Sequence, residues 1–141
     1  MPRGRPDYDE HGVRYWKGEV ADAYLQRVTP ALGYTAVLFR GRHAPEPVDL
    51  RPDELTGFWS DVRIAVRAIR AVFAPCHVNY QLLGNATPHV HVHVVPRYLD
   101  DPSPGRRLGD SAWESARHLT DSELQSQVAA LSRAAIEAAS A

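Results

Sequence analysis

The sequence predicts an α+β fold in which an antiparallel sheet carries helices on one face. Four stretches of strand-like composition occur as two pairs, separated by one long amphipathic helix, and a capped second helix follows them. Only a few residues join the two stretches of the second pair, which favours an antiparallel hairpin over a parallel crossover. The order strand, strand, helix, strand, strand, helix is typical of α+β proteins.

The N-terminal region divides into an arm and the first pair of strands. Residues 1–18 are rich in Arg, Gly, Pro and Asp, and we interpret them as a mobile or loosely docked arm. A single domain is expected over residues 19–141. Strands are predicted over residues 20–25 and 34–40, because β-branched and aromatic residues cluster there on either side of a turn at 29–33.

Two helices are predicted from their end signals and spacing. Pro52 suits a first helical turn and Pro75 ends the helix. The apolar residues between them recur at helical spacing and make a stripe of Leu55, Phe58, Trp59, Val62, Val66, Ile69 and Phe73. This stripe is broad enough for both a core and an interface. Thr120 and Glu123 form a capping box that opens the second helix.

Composition limits the function classes. The chain has 141 residues with 44% hydrophobic residues, which suffices for a real core. A net charge of −1 provides no global basic field for nucleic acid, and no apolar run approaches the ~20 residues of a membrane span. Cys76 is the only cysteine, which excludes an internal disulfide and a cysteine-based zinc finger. We therefore expect a cytoplasmic protein.

The most informative stretch is 88–97, where histidine and valine alternate. In an extended strand, successive side chains point to opposite faces. His89, His91 and His93 are therefore predicted to line one face, and the intervening valines the other. The valines would anchor the strand on the core, which leaves three imidazoles on an open surface.

A row of imidazoles has three interpretations. Neutral imidazole is a nucleophile or base near neutral pH, and protonated imidazole donates to phosphate oxygens, so the row suits attack on phosphorus. Two neighbouring rings could instead share a zinc ion, although His89 and His93 would lie about 13 Å apart in a regular strand. The third interpretation is a solvated strand face that is rich in histidine.

The strand predicted over residues 78–83 turns through 84–88 into the histidine strand. Asn79 and Gln81 are expected on the histidine face if the two strands pair in that register. The loop over residues 96–110 contains Arg97, Arg106 and Arg107, whose guanidinium groups could bind phosphate oxygens in a bidentate manner. We expect Arg97 to bind phosphate, whereas Arg106 and Arg107 could equally face solvent.

The segment His89-Val-His91-Val-His93-Val-Val resembles the defining pattern of the histidine triad (HIT) family, in which three histidines alternate with apolar residues. The resemblance extends over about residues 20–100 and is closest to the Fhit-like and small bacterial branches. It implies an antiparallel sheet of about five strands with two helices packed on one face. It also implies a homodimer in which two sheets join into one.

The resemblance also implies a mechanism without a cofactor or a metal in the attacking step. Family members hydrolyse or transfer small nucleotides, such as nucleoside phosphoramidates and dinucleoside polyphosphates, at the α-phosphate. The middle histidine, here His91, forms a nucleotidyl-histidine intermediate. His93 would hold phosphate oxygens or assist the leaving group, and His89 would orient its neighbour. Asn85 and Asn79 correspond approximately to phosphate-binding positions, whereas turn chemistry and a solvated strand position are their structural alternatives.

Two positions depart from the pattern of relatives. Tyr34 follows Gly33 where many relatives have histidine, and Gln26 or Arg27 stands where many have an acidic residue that binds ribose. Nucleoside recognition is therefore expected to differ. The alternatives to an ordinary hydrolase or transferase are a biosynthetic enzyme that acts on an unusual phosphorylated metabolite, a non-catalytic nucleotide-binding regulator, and a metal-binding protein.

Overall fold

The computed structural model describes residues 7–141 and shows an antiparallel five-stranded sheet. Its strands are β1 (Gly12–Lys17), β2 (Ala21–Gln26), β4 (Thr35–Phe39), β5 (His77–Gln81) and β6 (His91–Arg97). They are arranged in the order β1-β2-β4-β6-β5. Two short strands, β3 (Val28–Thr29) and β7 (Arg117–His118), form a separate two-stranded sheet. The predicted α+β class and the sheet of about five strands are confirmed.

The helices of residues 7–141 are α1 (Pro52–Phe73), the short α2 (Asp110–Glu114) and α3 (Asp121–Ser140), and a 3₁₀ turn (Pro47–Asp49) precedes α1. Two of these three helices, α1 and α3, begin where the sequence predicts, and the short α2 was not predicted. The capping box of α3 is present, because the Thr120 hydroxyl accepts from the Glu123 N–H at 3.1 Å and the Glu123 carboxylate accepts from the Thr120 N–H at 3.0 Å. Among the helices of residues 7–141, none is long and apolar enough to cross a membrane.

The main core lies between the sheet and the helices α1 and α3. The valine side of the histidine strand faces this core, and Val90, Val92 and Val94 are almost completely buried there. The α1 stripe contributes Phe58, Val62, Val66 and Ile69. Full burial of each such aliphatic or aromatic side chain stabilises the fold by about 1.5–3 kcal/mol. The helices α1 and α3 therefore cover one face of the sheet, and the histidine side lies on the other.

The strand β1 corrects the interpretation of residues 1–18 as an arm. Gly12–Lys17 pairs antiparallel with β2, and Tyr15 lies in the core with its hydroxyl 2.9 Å from Thr35 Oγ1. The segment between Gly12 and Gly18 contains the β-branched Val13 and the aromatic residues Tyr15 and Trp16, which is a strand signal. The polar composition of residues 1–18 as a whole favoured the interpretation as an arm. Residues 1–6 of the predicted arm lie outside the described residues.

The loop between β4 and α1 is fixed to the helix by an ion pair. Nε and Nη2 of Arg42 donate to the two carboxylate oxygens of Glu54 at 3.0 and 2.5 Å. The hydrogen bond from Arg42 lowers the pKa of Glu54 to about 2. Because the same loop contains His43 and Ala44, this pair holds in place a segment that contacts the histidine strand.

Candidate active site

The strand β6 lies between β4 and β5, which places its histidines near the middle of the open sheet face. His93 is opposite Ala36 of β4 and Gln81 of β5, and His91 is opposite Leu38 of β4. Directly opposite residues of an antiparallel pair share a face. The predicted register, with Asn79 and Gln81 on the histidine face, is therefore confirmed, since Asn79 is opposite Val95.

A cavity of about 440 Å³ opens on this face beside the histidines. Its floor is formed by Tyr24, Ala36 and Leu38 from β2 and β4. One wall is the loop of residues 83–87, and the opposite wall includes Asp9, His11 and Gln26. An apolar floor with polar walls and imidazoles at one end suits a small, partly apolar ligand that carries a reactive polar group.

The ring of His91 is oriented by a backbone carbonyl. Its Nδ1 lies 2.6 Å from the carbonyl oxygen of His89. Since a carbonyl oxygen only accepts, Nδ1 carries a proton, and the neutral ring then has its lone pair on Nε2. Among the described residues, none forms a hydrogen bond to Nε2. His91 therefore presents a nucleophilic nitrogen to the cavity.

The ring of His93 lies beside His91 and is held by a tyrosine. The two imidazoles meet edge to face, with their centroids 4.9 Å apart, and the Tyr34 hydroxyl lies 2.6 Å from His93 Nδ1. Burial, together with the neighbouring His91, lowers the pKa of His93 to about 4. Near neutral pH the His93 ring is therefore uncharged.

The first histidine of the triad behaves differently from the prediction. The regular strand begins at His91, and His89 lies before it with only 8% of its surface exposed. Its Nε2 is 2.7 Å from the carbonyl oxygen of Phe39, and its Nδ1 accepts from the Ala44 N–H at 3.3 Å. His89 thus borders the cavity but does not stand on an open surface, because both of its nitrogens are bonded to backbone groups.

The surroundings of His89 explain how it orients its neighbour. The His43 ring stacks on His89 with centroids 5.5 Å apart. The contact from His89 to His91 is made by the carbonyl group and not by the imidazole. The immobilised side chain fixes the backbone, and the His89 carbonyl orients the His91 ring.

Arg97 and Asn79 lie outside this cavity, which corrects their predicted role in binding phosphate. The Arg97 guanidinium donates to both carboxylate oxygens of Asp101 at 2.5 and 2.6 Å, and to Asn79 Oδ1 at 2.8 Å. It also donates to the carbonyl oxygens of Ser103 and Arg106. All five N–H donors of the guanidinium are occupied, and Arg97 is buried. These side chains stabilise the loop after β6.

Asn85 is the one predicted phosphate ligand that the structure brings to the histidines. It is exposed on the loop wall of the cavity. Arg106 and Arg107 instead line the separate cavity beside Arg97. The cavity between the loop of residues 83–87 and the wall that includes Asp9 and His11 is therefore the site that the geometry supports.

Comparison with known proteins agrees with this geometry. The model of the HIT domain matches residues 22–100, which is more than half of the chain. The chain belongs to the HIT family. A histidine triad protein from Bradyrhizobium japonicum superimposes with a TM-score of 0.75 at 20% identity, covering 88% of this chain and 90% of that one. A histidine triad protein from Marinobacter aquaeolei VT8 gives 0.74 at 18% identity, covering 90% of each chain.

One curated relative of this HIT protein is an enzyme. The bis(5′-nucleosyl)-tetraphosphatase [asymmetrical] of Schizosaccharomyces pombe is 30% identical over 92 residues, which is 62% of this chain. The chain spans about half of that enzyme's length.

Sequence reasoning missed part of the HIT site. Asp9 and His11 line the cavity, although they precede the matched domain and fall within the predicted arm of residues 1–18. A turn holds them there, since Asp9 Oδ1 accepts from the N–H groups of His11 and Gly12 at 2.8 and 3.0 Å. Tyr24 could have been found from alternation, because every second residue of β2 points to the histidine face.

The metal alternative gains no geometric support in the part of the chain that the structure describes. Within residues 7–141, no group of three or more His, Cys, Asp or Glu side chains is arranged to hold an ion. In His91 the Nδ1 nitrogen is bonded to a carbonyl, and in His93 it is bonded to Tyr34. Each ring therefore has only its Nε2 left without a protein partner among the described residues.

Proposed function

We propose that this HIT protein is a hydrolase or transferase that attacks the α-phosphate of a small nucleotide through His91. Nucleoside phosphoramidates and dinucleoside polyphosphates are the proposed substrate classes, and a nucleoside monophosphate is the product. The observation that carries this proposal is the orientation of His91, whose Nδ1 is held by a carbonyl while Nε2 faces the cavity without a protein partner among the described residues. Such a fixed ring needs no reorganisation before attack.

The proposed reaction has two displacement steps. Nε2 of His91 donates its lone pair to the α-phosphorus, and the bond from phosphorus to the amine or oligophosphate breaks with its electron pair on the leaving group. An amine leaving group takes up a proton from solvent as it departs. Water then attacks the same phosphorus and releases a proton to solvent, the N–P bond breaks with its electron pair on Nε2, and the neutral imidazole is restored. Two easier displacements replace one difficult displacement.

The remaining side chains of the site bind and orient. The Nε2–H of neutral His93 donates to a phosphate oxygen, and the Asn85 amide donates to another across the cavity. The nucleoside lies on the apolar floor beside Tyr24 and Leu38, where burial of the base replaces contacts with water. Gln26 and Asp9 lie where the sugar hydroxyls would reach the wall.

The test is an incubation of wild type and His91→Ala with adenosine 5′-phosphoramidate and with diadenosine tetraphosphate, without added metal. We expect wild type to release AMP and to form a covalent adduct with the mass of one nucleotidyl group, stable in alkali and labile in acid. His91→Ala should lose both. His77→Ala is the matched control, because this exposed histidine lies outside the cavity, and it should behave as wild type. Absence of AMP release from folded wild type with both substrates would falsify the proposed substrate classes.

We also propose that the protein is a homodimer formed through β5. This strand is at an edge of the sheet, and its Tyr80 is 49% exposed. Trp59 of the α1 stripe is 42% exposed and meets Tyr80 edge to face at 6.4 Å. Exposed aromatic side chains beside an open edge favour association. Light scattering should give a dimer mass for wild type and a monomer mass for Trp59→Glu.

A cytoplasmic location stays a prediction, which fractionation of cells would test.

A further inference from the structure

The His93 ring contacts Tyr34, a residue that takes no direct part in the proposed reaction. Tyr34 is buried, and its ring lies nearly parallel to that of His93, with centroids 5.8 Å apart and an angle of 20°. Its hydroxyl is 2.6 Å from Nδ1 of His93. The hydrogen bond is short and the two rings are stacked, so each ring constrains the distance and the orientation of the other.

The direction of this hydrogen bond follows from the two groups. Burial raises the pKa of Tyr34 to about 12, so the phenol keeps its proton near neutral pH. Among the described residues, His93 Nδ1 is the acceptor that the hydroxyl reaches. A buried O–H that had no acceptor would be costly. The hydroxyl therefore donates, and Nδ1 is the acceptor nitrogen of His93.

We propose that Tyr34 is a positioning residue that fixes the tautomer of His93. Because Nδ1 accepts from the hydroxyl, the single ring proton of neutral His93 is on Nε2, the nitrogen on the cavity side of the ring. His93 then presents an N–H donor beside the nucleophilic Nε2 of His91. If Nδ1 carried the proton, His93 would present a lone pair, which would repel a phosphate oxygen.

The segment of residues 108–113 holds Tyr34 in this position. Trp113 meets the Tyr34 ring edge to face, with centroids 5.2 Å apart, and Leu108 packs with Tyr34 and Val95 in a cluster separate from the main core. The backbone before Tyr34 is also fixed, because Gly33 has φ of 85° and a Cβ there would lie 2.9 Å from Phe73. Tyr34 is thus held from both sides.

The direct measurement is the tautomer of His93 in protein labelled with ¹⁵N-histidine, read from two-bond ¹H–¹⁵N correlations near pH 7. Loss of one signal set in His93→Gln assigns the resonances. Wild type should show the proton on Nε2. In Tyr34→Phe, which removes only one oxygen, the two tautomers should become mixed. Trp113→Ala should produce a smaller change in the same direction, and it also serves if Tyr34→Phe does not fold.

Tyr15→Phe is the matched control for the loss of a buried tyrosine hydroxyl. Tyr15 is buried and bonds Thr35 on the other side of the sheet, so its variant should lose similar stability and keep the His93 tautomer. A wild-type signal with the proton on Nδ1 overturns the proposal, and so does an unchanged tautomer in Tyr34→Phe.

The catalytic consequence rests on the proposed function, whereas the tautomer does not. We expect kcat for AMP release to fall about tenfold in Tyr34→Phe with KM nearly unchanged, because one hydrogen bond to the transition state is lost from part of the population. Tyr15→Phe should keep wild-type kcat. If wild type releases no AMP, the proposed function fails, and the spectra still decide the role of Tyr34.

Discussion

The two ends of β6 carry polar clusters that each border a cavity but differ in hydrogen bonding. At one end are His91 and His93, and at the other end, on the same face, is Arg97. Each cluster borders a cavity, with volumes of about 440 and 460 Å³. Arg97 has a partner for every donor, whereas His91 and His93 each have one ring nitrogen bonded to protein.

This difference shows why charge is a poor guide to a site. Arginine is the residue most suited to bidentate phosphate binding, yet its fork is filled by Asp101 four residues later. In each of the two histidines, the protein bonds one ring nitrogen and leaves the other without a partner among the described residues. Hydrogen-bonding capacity that the protein does not itself satisfy distinguishes the end of the strand at which we propose that a ligand binds.

The largest expected effect separates activity from stability at the histidine end. His91→Ala should lower kcat for AMP release by at least about 10³-fold, because the nucleophile is lost. Its free energy of unfolding should change by less than about 0.5 kcal/mol, because the ring faces the cavity and not the core. Denaturant titration of the variant beside His77→Ala checks this, and a large loss of stability would contradict the strand assignment.

The converse result is expected at the arginine end. Arg97→Met leaves the Asp101 carboxylate buried without its cation, which should lower the free energy of unfolding by about 3 kcal/mol. The double variant Arg97→Met/Asp101→Leu should recover most of this loss, since neither charge then remains. Both variants should retain wild-type kcat/KM where they are folded. A fall in kcat/KM without loss of stability would restore the phosphate-binding role of Arg97.

Features with local signals could be predicted from the sequence. The alternation of histidine and valine predicted which side of the strand is core, and Pro52 and Thr120 marked helix starts, because such signals act within one turn or one strand. The alternation did not show where pairing begins. His89 keeps the sequence pattern but leaves the strand, because its ring is bonded to the backbone of Phe39 and Ala44 across the fold.

Features that depend on contacts between distant parts of the chain could not be predicted, because no local sequence signal marks them. The cavity wall at Asp9 forms only when the turn before β1 is held beside Arg27, whose Nε donates to the Asp9 carbonyl oxygen at 3.2 Å. The link from Trp113 through Tyr34 to His93 joins three separated parts of the chain. By contrast, Arg97 and Asp101 are four residues apart, a spacing at which an ion pair could have been considered from the sequence.

An intermediate effect should distinguish the two asparagines. Asn85→Ala should lower kcat/KM about tenfold, because a hydrogen bond to a charged phosphate oxygen is lost, and should leave stability unchanged at this exposed position. Asn79→Ala should do the reverse, with reduced stability and wild-type kcat/KM, since its amide oxygen accepts from Arg97. Equal kinetics for Asn85→Ala and wild type would remove Asn85 from the site.

The smallest expected effect is the dependence of stability on pH at His93. Burial lowers its pKa to about 4 in the folded protein, against about 6.5 when unfolded, so between these values the unfolded chain binds a proton that the folded chain does not. Stability is therefore fully present above pH 6.5 and decreases as the pH falls towards 4. Allowing for solvent screening of a partly exposed ring, His93 should account for about 1 kcal/mol of the free energy of unfolding between pH 7 and 5.

The loss of stability measured by denaturant titration should be smaller in His93→Gln than in wild type, and His77→Ala should lose as much as wild type. An equal loss in His93→Gln would show that the ring takes up its proton in the folded state as readily as in the unfolded chain.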